Sequence, residues 1–178
     1  MTTLSLPFTT SSDARPGFDI GPVARTLVSI ACFTMCFFVV IALGRVAFGL
    51  VDNLHHYAKL PVIIHVATVL PAVPLGGFLL LARKGTKMHK QLGKLWLVLM
   101  LVTATSAIFI QSSGGFSFIH IFVPITFHAA WKTIATARKG DIAGHKKHLT
   151  ITYLTALMIP GIVAFALPGR LMNMMLLG

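Results

Sequence analysis

Eight histidines stand in a chain that holds only four acidic residues. An imidazole ligates metals, relays protons or binds haem iron axially, so the placement of these rings is the first question. His89 lies in the basic turn "KGTKMHKQLGK" (84–94), and His145 lies in a second one, "KGDIAGHKKHLT" (139–150). His65 and His120 lie inside apolar runs. His65 precedes Arg83 by eighteen residues and His120 precedes Arg138 by eighteen. On helices rising about 1.5 Å per residue, both rings stand about 27 Å from that boundary. Counted from the opposite boundary, His89 precedes Gln111 by twenty-two residues and His145 precedes Leu167 by twenty-two. Two pairs of rings therefore match in depth.

Matched imidazoles on facing helices of an apolar bundle are what bis-histidine haem ligation requires. The spacing thus points to His65 with His120, and His89 with His145, as iron ligands of one or two b-type haems. Arg45 and Lys59 fall near the level of the first pair. Lys87, Lys90 and Lys146 fall near the second, where they would meet haem propionates or an anionic reductant. The competing reading makes His89 and His145 interfacial anchors. A metal site built from His89, His145 and His148, or a proton pathway along the histidines, is a further alternative. His55 and His56 read as solvated loop residues, and His128 as a hydrogen-bonded histidine of the bundle interior. Cys32 and Cys36, one helical turn apart, read as small buried hydrophobes, since two cysteines make no disulfide framework.

Composition dictates the elements that must position these rings. Of 178 residues, 56% are hydrophobic and 11% charged, against about 25% charged in soluble chains. Five apolar stretches approach the roughly 20 residues that cross a bilayer. They are expected at about Pro22–Leu50, Leu60–Leu81, Gln91–Gln111, Phe116–Ala137 and His145–Leu167. The expectation is an all-α integral membrane bundle of five transmembrane helices, with a four-helix core from spans two to five. Residues 1–22 read as a polar tail, without the apolar run of a signal peptide. Residues 23–168 form the transmembrane domain, and 169–178 a short apolar segment along the interface. Pro124 would free the carbonyl of His120 and loosen the fourth span there.

Net charge +11 raises nucleic acid as a partner, but the basic residues flank membrane spans, which points to topology and lipid instead. Twelve of the fifteen Lys and Arg fall on the side holding the tail and both basic turns. Arg45, Lys59 and Arg170 fall on the other. The positive-inside rule then places the chain in a bacterial inner membrane, N-terminus cytoplasmic and C-terminus periplasmic. No nucleophile–base constellation and no phosphate loop is present, so nothing names an enzymatic reaction.

The stretches "IIHVATVLPAVPLGGFLLLARKGTKMHKQLGKLW", "GGFSFIHIF", "ARKGDIAGHKKHLTITYL" and "LPGRLMNMMLLG" resemble the bacterial membrane proteins grouped as domain of unknown function 2306. The resemblance covers about residues 60–178, including His65, His89, His120 and His145. A more distant likeness joins this arrangement to the two-haem transmembrane cytochromes b. These place one histidine in each of four successive helices, and "MHKQLG" (88–93) is similar to their "LH-x-x-LG" stretch. That likeness implies electron transfer, with a quinone or a redox protein as partner. The alternative is a non-catalytic subunit or assembly factor of a larger membrane complex, its histidines structural.

Overall fold

The computed structural model describes residues 20–52, 54, 59–82, 84–110, 115 and 117–178. Among these, helix is the regular structure throughout and no strand occurs. Helices α1 (Pro22–Ala47), α2 (Leu60–Leu81) and α3 (Lys87–Ile108) each run long enough to span a membrane. The fourth span opens with a 3₁₀ turn, Phe118–Ile121, and continues as α4 (Phe122–Arg138). The fifth is composite: α5 (Ile142–Thr152), a π-helical stretch Tyr153–Met158, and α6 (Ile159–Ala166). A short α7 (Leu171–Leu177) closes the chain. Successive spans run antiparallel, so Arg25 near the start of α1 reaches the carbonyl of Leu81 at the end of α2, at 3.5 Å. Lys84–Lys94 and Arg138–Lys147 gather at that same basic end of the bundle.

Local chemistry explains where α3 and α5 begin. Thr86 caps α3, its hydroxyl accepting from the His89 backbone N–H at 3.0 Å. Asp141 caps α5, its carboxylate accepting from the Gly144 N–H at 2.8 Å. Such caps satisfy amides that a helix start leaves unpaired. Both helices thus begin earlier than their apolar runs, and His89 and His145 fall within or just past the first turn. Gly49 (φ +67°) and Gly140 (φ +72°) turn the chain just after α1 and α4. Pro124 sits in the first turn of α4 and withholds an amide from the His120 carbonyl; the span is a 3₁₀ turn there, and regular α-helix begins only at Phe122. Pro160 withholds an amide from the Ala156 carbonyl, and the π stretch lies directly before it, as helix irregularities at proline do. Replacing Thr86 or Asp141 by Ala should each cost about 1 kcal/mol, measured as a lower thermal midpoint of the detergent-solubilised protein.

Spans two to five pack together, and α1 joins them. Val28, Met35 and Ala42 of α1 are buried, and α1 lies against α2 and α7. At the centre, Trp96 and Tyr153 are almost wholly enclosed. The Trp96 indole N–H donates to the Ala72 carbonyl at 2.9 Å, and the Tyr153 hydroxyl donates to the Val73 carbonyl at 3.1 Å. Gly76 and Gly77, one turn further along α2, give these rings room. A Cβ on Gly76 would stand 2.6 Å from the Trp96 nitrogen and 2.7 Å from two Tyr153 ring carbons. The outer surface is apolar, with Phe33, Val40, Phe109 and Trp131 exposed, as a lipid-facing belt requires.

Candidate functional site

A cavity of about 220 Å³ opens between the helices at the end of the bundle opposite the basic turns. His65 from α2 and His120 from the 3₁₀ turn line it together. Its walls are mostly apolar, with Val69, Met100, Phe122 and Leu157 among them. Thr103, Ser117, Thr126 and Arg170 are the other polar groups that line it.

The two rings are held differently. His65 Nδ1 lies 3.0 Å from the Thr103 carbonyl and 3.2 Å from the Ser106 hydroxyl. Because a carbonyl only accepts, Nδ1 carries the proton in that bond, which leaves Nε2 as a lone pair. Metal-ligating histidines are oriented in this way. The hydroxyls of Thr68 and Thr103 are hydrogen-bonded to each other at 2.7 Å. His120 Nδ1 lies 3.0 Å from the Ser117 N–H and 3.1 Å from the Ser117 carbonyl. Accepting from the first makes Nε2 a donor; donating to the second makes it a ligand. One backbone residue therefore serves both tautomers.

At the basic end, His145 Nδ1 lies 3.0 Å from the Thr133 carbonyl, which likewise leaves its Nε2 as a lone pair. His89 is close enough to His145 and Lys84 to interact with both electrostatically. Both rings are half-buried, and Lys87 and Lys90 are exposed in the first turn of α3. Lys146 is half-buried beside His145.

Other expected site residues lie elsewhere. Arg45 donates to the carbonyls of Leu50, at 3.5 Å, and Gly178, away from the cavity lining. Lys59 is exposed just before α2. His128 does not sit in the bundle interior: it is exposed on α4, 5.9 Å from the Trp131 ring, over which Lys132 also lies at 5.0 Å. His89, His145 and His148 make no metal-binding cluster; among the described residues no group of three or more His, Cys, Asp or Glu comes together. Cys32 and Cys36 are free and half-buried. His55 and His56 lie outside the described residues.

Sequence reasoning missed Arg170, Thr103 and Ser106 at this site. Arg170 was assigned only to topology, and it enters the cavity because α7 folds back on α1 and α6. A periodicity check would have found the α3 pair, since Thr103 and Ser106 share a helical face with Trp96 and Met100.

Residues 62–173 match the model of a family described as predicted membrane protein (DUF2306). The chain belongs to that family. No curated protein and no solved structure matches it. All four paired histidines, together with Arg170, fall inside the family segment, whereas α1 lies outside it. This DUF2306 protein thus carries the Thr86 and Asp141 caps, the central Trp96–Tyr153 packing and most of the cavity wall on the family's own portion of the chain, while Met35 and Val39 of α1 complete the wall.

Proposed function

We propose that this membrane protein is a b-type haem protein that transfers electrons within the bilayer. The observation that carries the reading is the shared cavity of His65 and His120, two imidazoles on different helices within one apolar wall. The donor set fits haem: His65 has its Nδ1 fixed by a carbonyl, and Ser117 can hold His120 in the ligand tautomer. The volume is smaller than the roughly 300–1,000 Å³ of small-molecule sites, so a macrocycle enters only as wall side chains turn aside. Met35, Met100 and Met172 line the space, and methionine's unbranched chain suits such repacking. His89 and His145 would hold a second haem at the basic end. Haem when bound supplies one-electron chemistry; the chain supplies ligation, burial and positive charge. A quinone or a soluble redox protein is the partner this reading assigns.

Purified protein expressed with adequate haem supply should show a Soret band that shifts on reduction with dithionite. Colourless, folded protein that takes up no haem on titration would defeat the reading.

The orientation proposed is that of a bacterial inner membrane, with the basic end cytoplasmic. It is supported by the twelve-to-three bias of Lys and Arg and by the antiparallel course that brings Arg25, Lys84–Lys94 and Arg138–Lys147 to one end. A reporter fused after Gly178 should read as periplasmic and one inserted near Gly140 as cytoplasmic. Finding both on one side would refute it.

One observation favours a second reading, a subunit of a larger membrane complex. His128 is exposed halfway along α4, beside the exposed Trp131. Ionisable groups inside a membrane rarely face lipid. Under that reading His128→Leu dissociates the complex on a native gel, while the haem reading leaves the pigment of this variant unchanged.

A further inference from the structure

Arg170 brings a fixed positive charge to the cavity of His65 and His120. It sits at the N-terminal boundary of α7, directly after Gly169, whose φ of +76° reverses the chain behind Pro168. Side-chain and backbone bonds hold the turn. The Asn173 side-chain amide donates to the Phe165 carbonyl at 2.7 Å, and the Met174 N–H donates to the Arg170 carbonyl at 3.0 Å. Leu171 and Met172 follow into the same cavity wall, so this turn forms one side of the site. No Asp or Glu lines the cavity among the described residues. Its electrostatics therefore favour an anion near Arg170, while its walls favour an apolar body.

We propose that Arg170 binds a carboxylate of the cavity's ligand; on the haem reading, which this inference rests on, that group is a propionate. A guanidinium offers two parallel N–H donors that match both oxygens of a carboxylate, which a lysine does not. The pairing sits where a site of this kind needs it. Arg170 lies at the end of the bundle opposite the basic turns, and the apolar wall extends inward from it past His65 to Met100. A macrocycle would lie among the apolar walls with its acid group at the Arg170 guanidinium, the one guanidinium lining the cavity among the described residues.

The test is titration of the full-length apo-protein, its second site emptied by His89→Ala in wild type and every Arg170 variant, with haem b and with haem b dimethyl ester, whose propionates are neutral. Wild type should bind haem roughly tenfold to a hundredfold more tightly than the ester, as expected of one charged hydrogen-bonded contact. Arg170→Gln should reduce haem affinity to that of the ester and leave ester affinity unchanged, which also reports that the site is intact. Arg170→Lys should keep part of the preference. Equal affinities for haem and ester in wild type, or an unchanged preference in Arg170→Gln, would overturn the assignment of Arg170 while leaving haem binding itself in place. Should Arg170→Gln lose both ligands, Arg170→Lys decides: a retained preference supports the assignment and a lost one overturns it. Wild type that binds neither ligand defeats the haem reading, and this inference with it.

Discussion

Replacing His65 or His120 by alanine is expected to remove one haem and spare the other. The measurement is the dithionite-reduced spectrum of purified protein, in which one of two Soret components should vanish. Each iron in a bis-histidine site depends on both axial nitrogens, so losing one ring empties or opens that site. On the haem reading the second site, assigned to His89 and His145, would keep both of its own. The two histidine pairs stand at opposite ends of the bundle, well beyond the roughly 7–10 Å within which substitutions couple. His89→Ala or His145→Ala should remove the other component in turn. The fold should survive His65→Ala, since the Thr103 carbonyl still accepts from Ser106 at 2.8 Å. His128→Ala, on the exposed face of α4, should leave both components in place. A His65 variant that retained both haems would exclude the pairing.

The largest structural loss is expected from Gly76→Ala. The added Cβ meets Trp96 and Tyr153 at distances that real contacts do not reach. Neither ring can retreat cheaply, because each is bonded to a carbonyl of α2, the helix that carries the glycine. Overpacking costs about 1–3 kcal/mol, and each hydrogen bond lost as a ring withdraws adds about 1 kcal/mol. Gly77→Ala should be milder, since the closest approach, 2.5 Å, is to Cys32 Sγ, which can rotate away, while Cys32 Cβ at 3.1 Å and the Tyr153 hydroxyl at 3.2 Å need give only a few tenths of an ångström. Gly93→Ala is the control: nothing lies within 4 Å of its Cβ, and alanine favours a helix interior over glycine by about 1 kcal/mol. Thermal midpoints should therefore rank Gly93→Ala highest and Gly76→Ala lowest. If Gly76→Ala melts with Gly93→Ala, the central packing is not as tight as described.

Residue types and their order sufficed for the number of long apolar helices and their alternating course. The reason is that a bilayer imposes a length of apolar chain, and counting along a helix is then a ruler. Span two came out at Leu60–Leu81 by both routes. The starts of α3 and α5 did not, because apolar runs ignore the polar first turn that Thr86 and Asp141 cap. Cap chemistry was legible there and had only to be weighed above hydropathy. Tertiary structure alone decided the rest. A helix's apolar face looks the same toward lipid as toward a neighbour, so nothing in its composition told that α1 packs with α2 and α7, or that His128 points outward. Nor does a run such as "LMNMMLL" say whether it floats at an interface or folds back. The turn at Gly169 and the bond from Asn173 to Phe165 decide that, and they bring Arg170 rather than Arg45 to the cavity. Partners far apart in the chain, such as His65 with Thr103 and Tyr153 with Val73, exist only once the helices have been brought together, because packing rather than local propensity selects them.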